Sequence, residues 1–309
     1  MKRARAVVFA YHDVGVRCLK ALLSAGVEVP LVVTVTDDAN ELQWYASVAD
    51  TARDYGIEVI APADANTAQC VRTVAQLAPD FLFSFYYRAM LKAPLLGCAR
   101  RGALNMHGSL LPKFRGRAPV NWAILSGARE TGATLHYMVE RADAGDIVDQ
   151  LAVPILEDDD ARCVFAKVTV AAETILARSL PALISGQAPR SPQRLEPGQY
   201  FGRRAPADGR INWHWPARRI HDLVRAVAPP FPGAFGEVAG ERWEIHRTRL
   251  VAATPPAGAR PRLYGAYGQC LIACADGQVL RVLAAADTHG ALDLESLAGE
   301  LAQRPVPLG

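Results

Sequence analysis

Ala6-Val7-Val8-Phe9-Ala10-Tyr11-His12-Asp13-Val14-Gly15-Val16-Arg17-Cys18-Leu19-Lys20-Ala21-Leu22-Leu23-Ser24 decides the architecture. The apolar run at its start reads as a buried strand, ended by the polar Tyr11-His12-Asp13. From residue 15 to 24, Val16, Leu19, Leu22 and Leu23 fall on one helical face, so the strand feeds an amphipathic helix. The alternation continues with strands predicted over 31–36, 57–61, 81–85 and 104–106, and helices over 42–55 and 68–77, the second stopped by Pro79. Strand and helix in repetition build βαβ units around a parallel sheet, which makes the first half a doubly wound α/β core.

Beyond residue 130 the period changes. Thr131-Gly132-Ala133-Thr134-Leu135-His136-Tyr137-Met138-Val139 alternates as a strand does, and residues 147–154 supply another after the turn Asp143-Ala144-Gly145-Asp146. A long helix over 158–185 closes this part. Residues 187–209, rich in Gly, Pro, Gln and Arg, read as a linker. A short helix over 216–227 follows, then short strands between glycines at 236–238, 242–246, 270–275 and 279–283, the spacing of a small all-β barrel. The expected domains are 1–186 and 210–309, with Trp213 and Trp215 burying a seam between them.

The 309 residues are half hydrophobic and 21% charged, with a mean hydropathy of +0.06, which excludes a disordered or fibrous chain. That length suits one large and one smaller domain. No uninterrupted apolar run reaches the roughly 18 residues of a membrane span, and the N-terminus lacks a signal-peptide core, so the expectation is a cytoplasmic protein without a membrane partner. The six cysteines have neither Cys-x-x-Cys spacing nor a histidine at zinc distance, so no metal is expected, and Cys98 is the one thiol marked for reactivity. The net charge of +3 is too small to mark a nucleic-acid binder. Between residues 189 and 262, however, thirteen arginines face six acidic residues, which reads either as a solvated surface or as a basic wall for phosphates.

In an open α/β sheet, ligands bind beyond the carboxyl ends of the strands. After the first strand comes Tyr11-His12-Asp13-Val14-Gly15 rather than a Gly-x-Gly-x-x-Gly turn, so a dinucleotide is not supported. His12 is a candidate there. The densest cluster follows the strand ending at Met106: Asn105, His107, Gly108 and Ser109, then the basic loop Lys113-Phe114-Arg115-Gly116-Arg117. With Asp143 to fix its tautomer, His107 can move a proton, and the Asn105 amide can donate to an oxyanion. Asn105, His107 and Asp143 therefore suit direct acyl transfer from a donor to an amine, with no nucleophilic Ser or Cys. His136, on a strand face with Thr134 and Met138, reads as a core or rim histidine.

Asn105-Met106-His107-Gly108-Ser109-Leu110-Leu111-Pro112-Lys113-Phe114-Arg115-Gly116, with Thr131-Gly132-Ala133-Thr134 and Asp143-Ala144-Gly145-Asp146-Ile147, resembles the folate-dependent formyltransferases. The resemblance spans nearly the whole chain. It implies a Rossmann-like, mainly parallel sheet joined to a small C-terminal OB-like β-barrel, and an N-formyltransferase with Asn105, His107 and Asp143 as catalytic residues. The donor, 10-formyltetrahydrofolate, is implied to lie along Ala89, Met90 and Leu91, against Arg117, and along Val139, Glu140, Arg141 and Ala142.

Phe9-Ala10-Tyr11-His12-Asp13, Phe83-Ser84-Phe85-Tyr86-Tyr87-Arg88 and Phe201-Gly202-Arg203-Arg204 are similar to the members that formylate UDP-4-amino-4-deoxy-L-arabinose for lipid A modification and polymyxin resistance. Tyr86, Tyr87, Arg88, Arg203 and Arg204 are then the candidates for the UDP-sugar. In several bacteria such an enzyme is fused to a dehydrogenase-decarboxylase, and here that half is expected to be a separate protein. The alternatives are a methionyl-tRNA formyltransferase, with the basic region on the acceptor stem, and a formyltetrahydrofolate hydrolase.

Overall fold

The computed structural model describes residues 3–37, 43–196, 200–258 and 261–309. It divides into two compact units, one of Met1–Pro119, Glu130–Pro154 and Phe165–Gly202, the other of Val120–Arg129, Ile155–Val164 and Arg203–Gly309.

The first unit opens with β1 (Arg5–Ala10), α1 (His12–Ser24), β2 (Glu28–Val33), α2 (Val48–Asp54), β3 (Glu58–Ile60), α3 (Ala68–Gln76), β4 (Phe81–Phe85), α4 (Ala93–Leu96), β5 (Gly102–His107) and β6 (Arg115–Gly116). After α5 (Pro119–Leu125), all but its first residue in the second unit, come β7 (Glu130–Tyr137), β8 (Ile147–Pro154), α6 (Ala161–Ser185) and β9 (Tyr200–Phe201). The main sheet has the order β3-β2-β1-β4-β5-β7-β8. β1 to β5 are parallel, and β7 runs antiparallel to both β5 and β8. The chain leaves β1 first toward β2 and β3 and then, on its other side, toward β4 and β5. The switch point is at β1 and β4, whose ends carry Tyr11-His12-Asp13 and Tyr86-Tyr87-Arg88. Phe9, Phe83, Phe85, Leu82 and Leu104 are fully buried, as continuous apolar strands of a sheet covered on both faces should be.

Several boundaries differ from the sequence reading. Only residues 48–54 of the expected helix over 42–55 are helical. Ser47 caps it by accepting the Asp50 N–H at 3.1 Å, and Leu42 lies outside the described residues. α1 starts at His12, three residues early, with His12 at φ +66°. By length and composition α6 could span a bilayer, although charged residues interrupt its apolar run. Its buried residues Val168, Ala171, Ala172, Ile175, Leu176 and Leu180 recur every three to four positions. Arg178 ion-pairs with Asp149 at 2.6 Å and Glu173 with Arg17 at 2.7 Å, the pattern of a helix packed on one side.

The segment expected to be a linker is partly structured. Tyr200–Phe201 pairs in parallel with Arg115–Gly116, and Pro206–Gly209 forms a 3-10 turn.

The second unit contains α7 (Ala217–Ala226), β10 (Ala234–Val238), β11 (Glu241–Val251), β12 (Arg262–Ala266), β13 (Gln269–Ala273), β14 (Val279–Asp287), β15 (Gly290–Ala291), α8 (Leu294–Gln303) and β16 (Val306–Pro307). Its antiparallel sheet, β10-β11-β14-β13-β12-β16 with β15 on β14, curls into a half-barrel. β12 and α8 were not anticipated. α8 lies close against β12, where a Cβ at Gly265 would overlap the Ala298 carbonyl. Trp213 is buried within this unit against Gly236.

Within α7, Asp222 and Arg225 form a buried ion pair at 2.8 Å, each side chain 5% exposed. Arg225 also donates to the carbonyls of Leu156 and Asp159, and His221 bridges Thr248 Oγ1 and the Glu157 carbonyl. The arginines read as a basic wall are mostly engaged. Arg218 pairs with Glu157 and Asp222, Arg249 pairs with Asp158, and Arg204, Arg219 and Arg242 cover Trp122, Trp215 and Phe235.

Candidate active site

Asn105 and His107 are two residues apart on β5 and so share one face of the sheet. β7 places His136 directly opposite Asn105 and Thr134 opposite His107. Over this face folds the β7–β8 loop, with Asp143 at φ +51°. Asp143 Oδ1 lies 3.6 Å from His107 Nδ1, 3.6 Å from His136 Nε2 and 3.4 Å from Asn105 Nδ2, while Oδ2 accepts the Gly116 N–H at 3.0 Å. The sequence motif is thus brought together, and His136 joins it as a fourth member. Strand alternation gave His136 its face, and the β5–β7 register sets it level with Asn105.

Burial alone would push the Asp143 carboxyl up. The His107 ring facing it, the Gly116 N–H and the other polar groups around it outweigh that and hold it well below the usual carboxylate range. His107 Nε2 lies 3.0 Å from the Phe114 carbonyl, so each ring nitrogen faces an acceptor and a proton taken up by either stays paired. Asn105 Nδ2 also lies 3.1 Å from His136 Nε2. Both carboxamide N–H groups thus point into the cluster.

The loop after β5 is fastened from below. Thr134 Oγ1 donates to the Ser109 carbonyl at 2.6 Å and accepts the Leu111 N–H at 3.1 Å, while Gln150 Nε2 donates to Thr134 Oγ1 and the Leu111 carbonyl. Ser109 Oγ donates to the Lys113 carbonyl, so this hydroxyl shapes the turn. Gly116, at φ +101°, fits only without a side chain, because a Cβ would overlap the Phe201 carbonyl oxygen. From the supposed linker, Gln193 Nε2 donates to the carbonyls of Asp143 at 3.1 Å and Gly145 at 2.6 Å. Composition hid Gln193, since one glutamine among several in a Gly- and Pro-rich stretch carries no period.

Of the residues expected to take the donor, Ala89, Glu140 and Arg141 are exposed and Leu91 is buried, while Met90 and Val139 are two of the few large apolar side chains left exposed, at 51% and 46%. Arg117 donates to the Arg88 carbonyl. Leu91, Tyr87 and Met138 border one apolar cluster. A cavity of about 320 Å³ opens beside it at the amino end of β5, lined among others by Leu96, Gly102, Ala103, Val139, Gly145 and Arg190. Exposed Met90 and Val139, on the loops that carry the expected donor residues, fit a flat apolar ring system with polar edges. Asn66, missed in the sequence, sets this rim: it donates to the Met90 carbonyl at 3.0 Å and accepts the Lys92 N–H at 2.8 Å.

The residues expected to meet the sugar nucleotide are dispersed. Tyr86, at φ +58°, turns its ring edge to Phe165 and buries an unpartnered hydroxyl under Gly108. Tyr87 packs edge-on to Phe9, and burial pushes its phenol up to about 12. Arg88 lies over the Tyr11 ring. Arg203 and Arg204 belong to the other unit, where Arg203 is exposed and Arg204 donates to the Asp208 carbonyl. His12 stacks on Tyr45, and burial and then Arg88 push its pKa down to about 3. Cys98 is half-buried with Sγ donating to the Pro94 carbonyl, and burial pushes its thiol up, away from reactivity. Among the described residues no cluster of three or more His, Cys, Asp or Glu could hold a metal.

Residues 4–180 match the family model described as formyl transferase, and 204–298 match the formyl transferase C-terminal domain. The N-formyltransferase of Helicobacter canadensis, solved with folinic acid and dTDP-3-aminofucose, is 20% identical, with a TM-score of 0.66 over 91% of this chain and 99% of its own. WlaRD, a sugar 3N-formyltransferase solved with dTDP and 5-N-formyl-THF, is 19% identical, with a TM-score of 0.68 over 95% of this chain and 99% of its own. HypX of Aquifex aeolicus, solved with tetrahydrofolic acid, is 17% identical, with a TM-score of 0.63 over 98% of this chain and 48% of its own.

Proposed function

This chain belongs to the formyltransferase family, matched in both its halves, and from that premise we propose that it transfers a formyl group from 10-formyltetrahydrofolate to the 4-amino group of UDP-4-amino-4-deoxy-L-arabinose. The observation that carries the chemistry is the convergence of Asn105, His107, His136 and the Gly116 N–H on the Asp143 carboxylate. The donor brings an activated formyl carbonyl. The acceptor amine forms a bond to that carbon, the donor's carbon–nitrogen bond breaks, and the proton shed by the amine ends on the donor nitrogen. His107, oriented by Asp143 and the Phe114 carbonyl, is the group that moves this proton, and Asn105 borders the formyl oxygen where negative charge builds.

The exposed Met90 and Val139 support a folate donor, as do the folates bound by the three proteins above. Two of those proteins were solved with thymidine nucleotides, one carrying an amino sugar, which supports a nucleotide-linked amine as acceptor. The narrower choice of uridine and a 4-aminopentose rests on Phe9 to Asp13, Phe83 to Arg88 and Phe201 to Arg204.

The test is incubation of the protein with 10-formyltetrahydrofolate and UDP-4-amino-4-deoxy-L-arabinose, or a dTDP-amino sugar in parallel, followed by mass spectrometry. One formyl group gained on the UDP sugar in preference is the expected result. Gain on the thymidine sugar alone overturns the acceptor, and free formate without an amine product makes the protein a hydrolase. His107→Ala should cost about 10² to 10⁴ in turnover while folate still binds.

A further inference from the structure

We propose that His136 is a positioning residue that fixes the rotation of the Asn105 carboxamide, and through it decides that an N–H rather than a carbonyl oxygen is offered to the reacting formyl group. The inference rests on the formyl-transfer reading for its kinetic part only. His136 is 1% exposed, and three groups face its ring: the Tyr137 carbonyl, Asn105 and Asp143.

Two separate contacts select one tautomer. The Tyr137 carbonyl, 2.9 Å from Nδ1, can only accept, so Nδ1 carries the proton. Nε2 is then a bare acceptor, and the group 3.1 Å from it is the Asn105 amide nitrogen, which can only donate. The amide assignment is fixed from a second side. Reversing the carboxamide would bring its oxygen against Asp143 Oδ1, now 3.4 Å from the nitrogen, placing two acceptors together.

His136 therefore anchors one Asn105 N–H firmly. The other, engaged by Asp143 only at 3.4 Å, is the one left for a formyl oxygen. With a protonated Nε2 the first anchor is lost, and the Asp143 carboxylate at 3.4 Å alone is left to hold the amide nitrogen against rotation. His136 touches no reacting atom in this scheme and acts through Asn105.

One experiment is independent of any activity. In the ¹⁵N-labelled protein without ligands, the His136 ring should show a protonated Nδ1 and a bare Nε2, and a protonated Nε2 overturns the proposal. The kinetic test compares His136→Gln, whose terminal amide reaches the position of Nε2, with His136→Asn, which reaches only that of Nδ1. The Asn variant should lose on the order of 10² in kcat, the scale of one lost oxyanion donor, while the Gln variant stays within about tenfold of the parent. KM for the folate should move less than about threefold in both. Equal kcat in the two variants, at matching melting temperatures, assigns His136 a packing role and overturns the inference. Absence of formyl transfer by the parent protein sinks the proposed function instead and leaves the ring's protonation as the deciding measurement.

Discussion

The N–H of Gly116 points at Asp143 Oδ2 from 3.0 Å, so the loop after β5 supplies a donor to the carboxylate on the loop after β7. The contact needs a backbone at φ +101° and no side chain on the face toward Phe201. Gly116→Ala should therefore displace both the loop and the carboxylate. A stability loss of about 1 to 3 kcal/mol is expected in urea unfolding, with a fall in kcat larger than that of a substitution at the exposed Lys113.

Asn66→Ala removes both bonds that hold the Met90 and Lys92 backbone. The exposed Met90 rim should loosen without touching His107 or Asp143. KM for the folate is expected to rise about tenfold, equivalent to ~1.4 kcal/mol, with kcat nearly unchanged. A fall in kcat alone would show that Met90 does not border the donor.

The depressed pKa of His12 makes a prediction about acid. In the unfolded chain His12 takes up a proton near 6.5, whereas in the fold it stays neutral down to about 3. Unfolding is then favoured progressively as pH falls from 6.5 toward 3, by up to about 1.4 kcal/mol per pH unit. His12→Asn, which tolerates the left-handed backbone and does not titrate, should flatten the dependence of the urea midpoint on pH between 7 and 5. An unchanged slope would mean that His12 is protonated in the fold.

Arg225→Met leaves the Asp222 carboxylate buried beside Arg218 alone. A loss of about 3 to 5 kcal/mol is expected, and Asp222→Leu in the same chain should restore much of it. Chemical denaturation of the single and double variants checks this.

The sheet, its switch point and the Asn105, His107 and Asp143 trio were legible because apolar period and a dense local motif carry them. Three supports were not. His136 was visible as a strand residue, but its partner was set by the β5–β7 register, which a single sequence does not state. Asn66 and Gln193 act from loops, where a polar side chain has no period and its target lies about 25 or 50 positions away in the chain. The helix expected from residue 42 failed for a related reason: Ser47 caps the backbone locally and starts the helix later than hydrophobic spacing suggested. The second half was legible as short strands, yet α8 was missed although Leu294, Leu297, Ala298 and Leu301 recur at helical spacing behind the Asp293 cap, because Gly299 interrupts the run.

The pairing of Tyr200–Phe201 with Arg115–Gly116, together with the reach of Gln193 to Asp143, has a consequence in time. During synthesis the strands bearing Asn105, His107 and Asp143 are complete long before the segment that braces them has been made. Contacts across so many residues form late, because the intervening chain must first be closed. A ribosome-bound or truncated chain ending at residue 186 should carry the trio and still lack the Gln193 and Phe201 braces of its loops. Competence to bind and react would then arrive as a late event of folding, after the sheet itself has formed.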